Sequence, residues 1–179
     1  KAVDPRKLME VLKEKESALS AILPDLEKLY SSKPHEEDVY VYRGIEGWKN
    51  FMRDILRTGE DVYIIGGKGA WADPKIDAFR TRFLKDAEKA GIKMHILYDS
   101  EIRDTKHKIL ELIKGEFRFL PKEYSTNAAV TIFGNQIVTQ SNIKVGEISE
   151  NAVSTVIINA SIADTFRTWF RLMWNVAKK

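Results

Sequence analysis

The sequence predicts an α/β protein, in which a long N-terminal coiled-coil helix is followed by a mixed, largely parallel sheet flanked by helices. Three observations predict it. Leucines recur at seven-residue spacing through the first thirty residues. Short apolar runs then alternate with amphipathic stretches, the rhythm of β-α-β units. Last come strand-like runs with no helix between them, closed by an aromatic-rich helical segment.

The arm comes first. Leu12, Leu19 and Leu26 form one heptad row, and Leu8, Lys15, Ile22 and Leu29 form a second, offset by four. Asp4-Pro5 supplies a cap and a first-turn proline. Pro24 inside the pattern predicts a kink near Ala21. The helix is expected to fade at Ser31-Ser32-Lys33-Pro34, a breaker-rich hinge, with an acidic turn over His35–Asp38. The apolar surface of such a helix needs a partner, and the simplest is its own copy from a second chain. Homodimerisation is therefore assigned to Leu8, Leu12, Leu19, Ile22, Leu26 and Leu29, with Lys15 weakening the seam or fixing its register. The start at Lys1, without Met, implies an absent upstream part. This reading divides the chain into a dimerisation arm over 1–33 and a regulatory domain over 34–179.

In the domain, Val39–Arg43 reads as a strand and Gly44–Thr58 as an amphipathic helix with Ile45, Trp48, Met52, Ile55 and Leu56 on one face, stopped at Gly59. Val62–Ile65 is a continuous apolar strand, as expected when both faces are covered. Gly66–Gly69 is a loop. A helix over Pro74–Ala90, a buried strand over Ile92–Tyr98, a short helix over Thr105–Lys114 and a strand over Phe117–Leu120 follow. This order argues for parallel strands joined by right-handed crossovers. Ala128–Phe133, a Gly134-Asn135 turn and Ile137–Gln140 form a hairpin. Lys144–Ile148 and Val153–Asn159 read as further strands. The last helix, Ala160–Ala177, carries Ile162, Phe166, Trp169, Phe170, Met173, Trp174 and Ala177 on one stripe facing a core or an interface.

Composition bounds the function. The chain has 179 residues, 44% hydrophobic and 31% charged, with no Cys and a net charge of +3. That length buries a real core. The absence of Cys removes disulfides and thiolate metal sites and fits a cytosolic protein, so a cytoplasmic location is expected. No apolar run approaches the roughly twenty residues of a membrane span. A charge of +3 is too small to argue for nucleic acid by itself. The basic residues Arg80, Arg82, Lys106 and Lys108 are interleaved with Asp and Glu and read as a solvated face.

Few residues suggest chemistry. Neither His35, His95 nor His107 has a partner at metal-ligand spacing, so no metal site and no cofactor are expected. His95 reads as a core or sheet-face residue and His107 as solvent-facing. Gly66-Gly67-Lys68-Gly69 is either a backbone nest for an anion or simply a turn at a strand's carboxyl end. In open α/β sheets that end is where ligands bind. Trp71 just beyond it is a lid, a sugar-stacking face or a packing residue. Asp99 ends a buried strand, as a functional acid or, preferably, as the cap of the next helix. No serine-centred nucleophile elbow occurs.

The stretch Asn127 to Asn135, followed by Ile137 to Asn142, resembles the active-site hairpin of the phospholipase D superfamily. There a His, a Lys two positions on and an Asp five beyond precede a Ser/Asn-containing turn. The matching positions hold Asn127, Ala129 and Gly134, and Ser141-Asn142 stands near the turn. The resemblance therefore implies the scaffold without the histidine nucleophile or its lysine, and no catalytic residues.

The whole chain resembles the region of archaeal TrmB-like transcriptional regulators that follows their winged-helix domain. The resemblance rests on Ala2-Val3-Asp4-Pro5, Leu23-Pro24-Asp25-Leu26, Tyr42-Arg43-Gly44-Ile45-Glu46-Gly47, the glycine loop and Ala90-Gly91-Ile92-Lys93. It implies a coiled-coil arm joined to a degenerate phospholipase D-like domain without enzymatic activity. It also implies a homodimer, DNA bound through an absent winged helix, and a sugar or other small molecule as effector. Sugar-sensing members carry a further C-terminal β-rich subdomain, whereas this sequence stops at the Trp-rich helix. Candidate effector-binding residues are Gly66, Gly67, Lys68, Trp71, Asp99, Asn127, Ser141 and Asn142. Two other readings follow from the same residues: an architectural, chromatin-like DNA-binding protein whose domain is only a dimer clamp, and a phosphodiesterase with an unusual site.

Overall fold

The structure is a computed structural model describing residues 4–31 and 37–178. The expected hinge over 32–34 and the turn at His35 lie outside the described residues. The chain divides at residues 35/36 into two compact units, each described by itself.

The first unit is helix α1, Pro5–Ser31, 27 residues and about 40 Å long. It opens as the Asp4-Pro5 signal requires: Asp4 Oδ1 accepts from the Arg6 N–H at 2.9 Å. The helix continues through Pro24. Leu8, Leu12, Leu19, Ile22 and Leu26 are all exposed. The Leu29 side chain lies outside the described residues.

The second unit is built on one sheet. Its strands are β1 (Asp38–Arg43), β2 (Val62–Gly67), β3 (Met94–Tyr98), β4 (Glu116–Phe119), β5 (Ala128–Phe133), β6 (Gln136–Ser141) and β7 (Val153–Ile158). The helices are α2 (Gly44–Thr58), α3 (Asp77–Lys89), α4 (Ser100–Asp104), α5 (Ile109–Leu112) and α6 (Ala160–Val176). Strand order is β1-β7-β6-β5-β2-β3-β4.

The sheet is mixed, but it is not largely parallel. Only β2–β3 and β3–β4 pair in parallel; β1–β7, β7–β6, β6–β5 and β5–β2 are antiparallel. The physical reason is the run of hairpins after β4. With no helix to carry the chain back across a face, β5, β6 and β7 must turn directly on one another. They fill the space between β2 and β1, so β1 runs in the direction of β2 but with three strands between them. β1 is an edge strand with an alternating pattern: Val39, Val41 and Arg43 are exposed while Tyr40 and Tyr42 turn toward α2. The Tyr42 hydroxyl donates to buried Asp54 at 2.9 Å.

Other expectations shift locally. The helix expected over Thr105–Lys114 shrinks to α5, and a short helix, α4, that was not expected precedes it; Lys106 between them adopts φ +47°, which an α-helix cannot contain. The helix expected from Pro74 opens with a tight turn over Pro74–Ile76 before α3. Lys144–Ile148 forms no strand, only a bridge between Lys144 and Glu147. That loop is held by buried Ile143 and Ile148, the latter donating its N–H to Asp73 Oδ2 at 2.7 Å. Among the described residues no helix is long and apolar enough to cross a membrane.

Side-chain alternation along the strands gives two cores. On one face α2, α3 and the short helices cover Val62, Ile64, Met94, Ile96, Phe133 and Val138. On the other, α6 covers Tyr63, Ile65, Leu97, Ile132 and Ile137. The stripe on α6 is narrower than its sequence predicts. Ala163, Phe166, Phe170, Met173, Trp174 and Ala177 pack inward, but Ile162 and Trp169 are exposed.

Candidate functional site

The site forms where β2 and β3 end, on the α2 face of the sheet. Two glycines let the chain turn there. Gly66 has φ +74°, and a Cβ on it would approach the Ala128 carbonyl oxygen to 3.0 Å. A Cβ on Gly67 would meet Tyr98 Cδ1 at 2.9 Å, at the register shift between Ile65 and Gly67. The turn directs Lys68 inward. Its side chain is 5% exposed and its ammonium pairs with Asp99, which is 0% exposed and follows directly after β3. Asp99 Oδ2 also accepts from the Ser125 hydroxyl at 2.9 Å. Glu101 lies 3.9 Å from the Lys68 ammonium, toward solvent.

This geometry corrects the preferred reading of Asp99. The residue stands at the position that opens α4, yet its side chain makes no capping bond. Its carboxylate is engaged by Lys68 and Ser125 instead. A buried pair of this kind is costly to break, about 3–5 kcal/mol when one partner is removed. The loop is therefore a locked turn with an internal charge pair, not an open anion nest.

Beneath the loop is a cavity with about 30 Å³ open to the centres of water-sized molecules. Lys68 and Gly69 lie on one side of it, and Trp48 of α2 on another. Its sheet wall includes Ile64, Ala129, Thr131 and Gln140. The Thr131 hydroxyl donates to Gln140 Oε1 at 3.3 Å. Trp48 Nε1 and Gln140 Nε2 are buried and have no hydrogen-bond partner among the described residues. Burial pushes the Tyr98 hydroxyl well above its ordinary pKa.

The remaining candidates separate. Trp71 lines the cavity and packs at the same time: it is buried edge-on against Phe51 (6.4 Å) and Phe83 (5.3 Å). Asn127, Ser141 and Asn142 are exposed and do not line the cavity. Asn142 has φ +58° and its Nδ2 donates to the Asn151 carbonyl at 3.3 Å. Of the positions matching the phospholipase D triplet, only Ala129 lines the cavity. Gly134 is in the turn at the far end of the hairpin, where its carbonyl accepts from Arg167.

His107 is not solvent-facing. Its ring fills the space between two loops, so a Cβ on Gly69 would meet it at 2.8 Å and one on Gly146 at 2.6 Å. Nδ1 accepts from the Ile109 N–H at 3.3 Å. Burial, with the charge of Lys108 adding to it, lowers its pKa below the ordinary histidine value. His95 lies on the opposite face, half-buried and stacked on Tyr63 at 5.1 Å. Among the described residues no group of three His, Asp or Glu side chains converges as a metal site would require.

Of the basic residues, Arg82, Lys106 and Lys108 are exposed and Arg80 is not. Arg80 is buried, donating to the Trp71 carbonyl at 3.0 Å and pairing with Asp77 at 2.7 Å. Arg82 faces Asp86 at 3.8 Å.

Sequence comparison finds no matching family model and no matching curated protein. Solved structures do match. TrmBL2, an archaeal chromatin protein described with a novel mode of DNA binding, matches with a TM-score of 0.52 and 19% identity, over 97% of this chain and 67% of its own. Nuc from Salmonella typhimurium, a phospholipase D family member, matches with a TM-score of 0.61 and 19% identity, over 80% of this chain and 97% of its own. NucT from Helicobacter pylori matches with a TM-score of 0.53 and 16% identity, over 80% of this chain and 99% of its own. At these identities the likeness establishes the fold, a phospholipase D-like α/β architecture.

Proposed function

We propose that this chain is the dimerising, catalytically silent part of a TrmB-like DNA-binding regulator. In this reading two copies of α1 pair through Leu8, Leu12, Leu19, Ile22, Leu26 and Leu29 as a coiled coil. The pairing sets the spacing of two upstream DNA-reading heads, as dimer symmetry sets half-site spacing. Residues 1–33 are the dimerisation arm and residues 34–179 the regulatory domain. The domain senses a sugar or other small molecule and biases that pairing.

The observation that carries the reading is the content of the phospholipase D positions. Asn127 is exposed, Ala129 forms part of a cavity wall, and neither is a nucleophile or a phosphate-neutralising cation. A scaffold of that class without its histidine has no covalent route to a phosphate ester. Its buried Lys68 is already committed to Asp99.

The test is paired. Sedimentation of the full chain is expected to give a dimer, and Leu19→Asp a monomer. Hydrolysis of bis(p-nitrophenyl) phosphate is expected to stay at the background rate. A monomeric wild-type chain at high concentration, or enzyme-dependent release of nitrophenol, overturns the proposal.

One observation favours the architectural reading as the second. The match to TrmBL2 extends over 97% of this chain, against 80% for the two nucleases. A clamp of this kind would retain salt-dependent DNA binding in the fragment alone. The paired state of Arg80 and Arg82 speaks against it, and a gel shift across a salt series decides.

A further inference from the structure

Two hydrogen-bond donors in the body are buried without a partner on the same cavity. Trp48 and Gln140 are each 3% exposed, and both line the space beneath the glycine loop. The bond from Thr131 to Gln140 Oε1 uses the carbonyl edge of the amide, so its NH2 edge is the one left over. A buried donor without an acceptor has given up its bond to water with nothing in return. Two on one small cavity point to an acceptor that belongs there.

The walls define what carries that acceptor. Ile64, Ile96, Ile109, Ile113 and Ile143 make most of the lining apolar. Lys68 is the one cation there, and its charge is matched by Asp99 with Glu101 nearby. A carboxylate or phosphate would therefore bring uncompensated charge into apolar surroundings, at a large desolvation cost. A neutral oxygen with two lone pairs meets both N–H groups without that cost. Only about 30 Å³ is open to the centres of water-sized molecules, so the space suits a compact group of a few heavy atoms.

We propose that the cavity bounded by Trp48, Thr131 and Gln140 binds a small uncharged carbonyl compound, its oxygen accepting from the Trp48 indole and the Gln140 amide. This deepens the effector-sensing reading above and rests on it. It also relocates the site: Asn127, Ser141 and Asn142, which do not line the cavity, take no part, and Lys68 serves as a wall whose charge is internally cancelled. Gln140 selects for an acceptor, and the matched Lys68–Asp99 pair selects against an anion.

The experiment follows the Trp48 indole N–H by two-dimensional NMR on the full chain, with Trp48→Phe assigning its peak among the four tryptophans. Acetamide and acetone serve as neutral probes, acetate and inorganic phosphate as anionic ones. The expected result is a saturable shift with the neutral probes, none with the anions, and an affinity about tenfold weaker in Gln140→Met. Gln140→Met removes the buried donor at similar volume but also takes the acceptor from the buried Thr131 hydroxyl. Its folding is therefore checked by thermal melt beside Thr131→Val/Gln140→Met, which removes both partners of that bond and is expected to show the same loss of about tenfold. No saturable shift with any probe means ordered water alone and overturns the proposal; a saturable shift with acetate or phosphate overturns its choice of an uncharged ligand. Sedimentation of the same samples separates the two failures. An intact dimer with no probe binding removes this inference alone, whereas a monomer removes the regulator reading.

Discussion

The arm and the body solve the same problem in opposite ways. In the body, Phe51, Met52 and Ile55 of α2 are fully buried against the sheet. In the arm, Leu8 is 65% exposed and Leu19 55% exposed. Both helices are amphipathic and both carry their apolar residues at helical spacing. The difference lies in what each is given to pack against. A single helix in water is marginal whatever its propensity, because helical stability comes chiefly from a covered apolar face. The body covers its helix faces within one polypeptide, whereas the apolar row of the arm is exposed among the described residues.

The comparison can be broken most severely in the body. Phe51→Ala removes a ring that contacts Trp48, Trp71 and Phe133, and is expected to cost about 3–5 kcal/mol in denaturant unfolding. A loss below about 1 kcal/mol would mean that this region repacks freely. Close behind is Lys68→Met, which leaves Asp99 buried without its cation, a loss of about 3–5 kcal/mol. Pairing it with Asp99→Leu is expected to recover most of that loss in a double-mutant cycle, and simple additivity would show that the two side chains do not act as a pair. Leu19→Asp sharpens the contrast from the other side. It is expected to halve the mass in solution while moving the unfolding midpoint of the body by no more than a surface change does, about 0.5 kcal/mol. A body that melts with the arm would erase the distinction between the two units.

The smallest effect is a pH dependence at His107. Its folded pKa is depressed by burial, so the unfolded chain takes up its proton first as pH falls. The stability it contributes is complete above the unfolded value of about 6.5 and is lost as pH drops below it toward the folded value. Stability curves of wild type and His107→Gln are expected to run parallel above neutrality and diverge below, the wild type falling faster. Parallel curves throughout would place the ring in solvent after all.

What was legible in the sequence is what local pattern controls. α2 spans Gly44–Thr58 and stops at Gly59 because its apolar spacing and its terminal glycine are signals within one element. The hairpin of β5 and β6 was legible from its Gly-Asn turn and its flanking apolar runs. The neighbours of β1 were not read correctly, although a signal existed. Val39-Tyr40-Val41-Tyr42 puts valines on one face and tyrosines on the other, and only the tyrosine face is covered. Val62–Ile65 is apolar throughout, as a strand inside the sheet should be.

The site was read only in part. Gly66, Gly67 and Lys68 were identified from the loop itself. Lys68 finds its partner 31 residues away, and Asp99 finds Ser125 another 26 beyond. No periodicity encodes such meetings, because the strand order brings them about. Trp48 and Gln140 were missed for the same reason. One reads as an ordinary helix-face residue and the other as an ordinary strand residue until sheet and helix are set together. His107 was misplaced because its basic neighbours suggest solvent, while what encloses it is two glycines far apart in sequence.

α6 carries a mechanical consequence. It lies across β2, β5 and β6, spanning the seam where parallel pairing gives way to antiparallel. At one end Arg118 of β4 sits over the Trp174 ring at 4.9 Å and donates to the Trp174 carbonyl at 2.6 Å. Midway along the helix, Arg167 donates to the Gly134 carbonyl in the turn between β5 and β6. The helix thus ties strands on both sides of that seam to one another, so a change in their mutual angle would have to break these contacts.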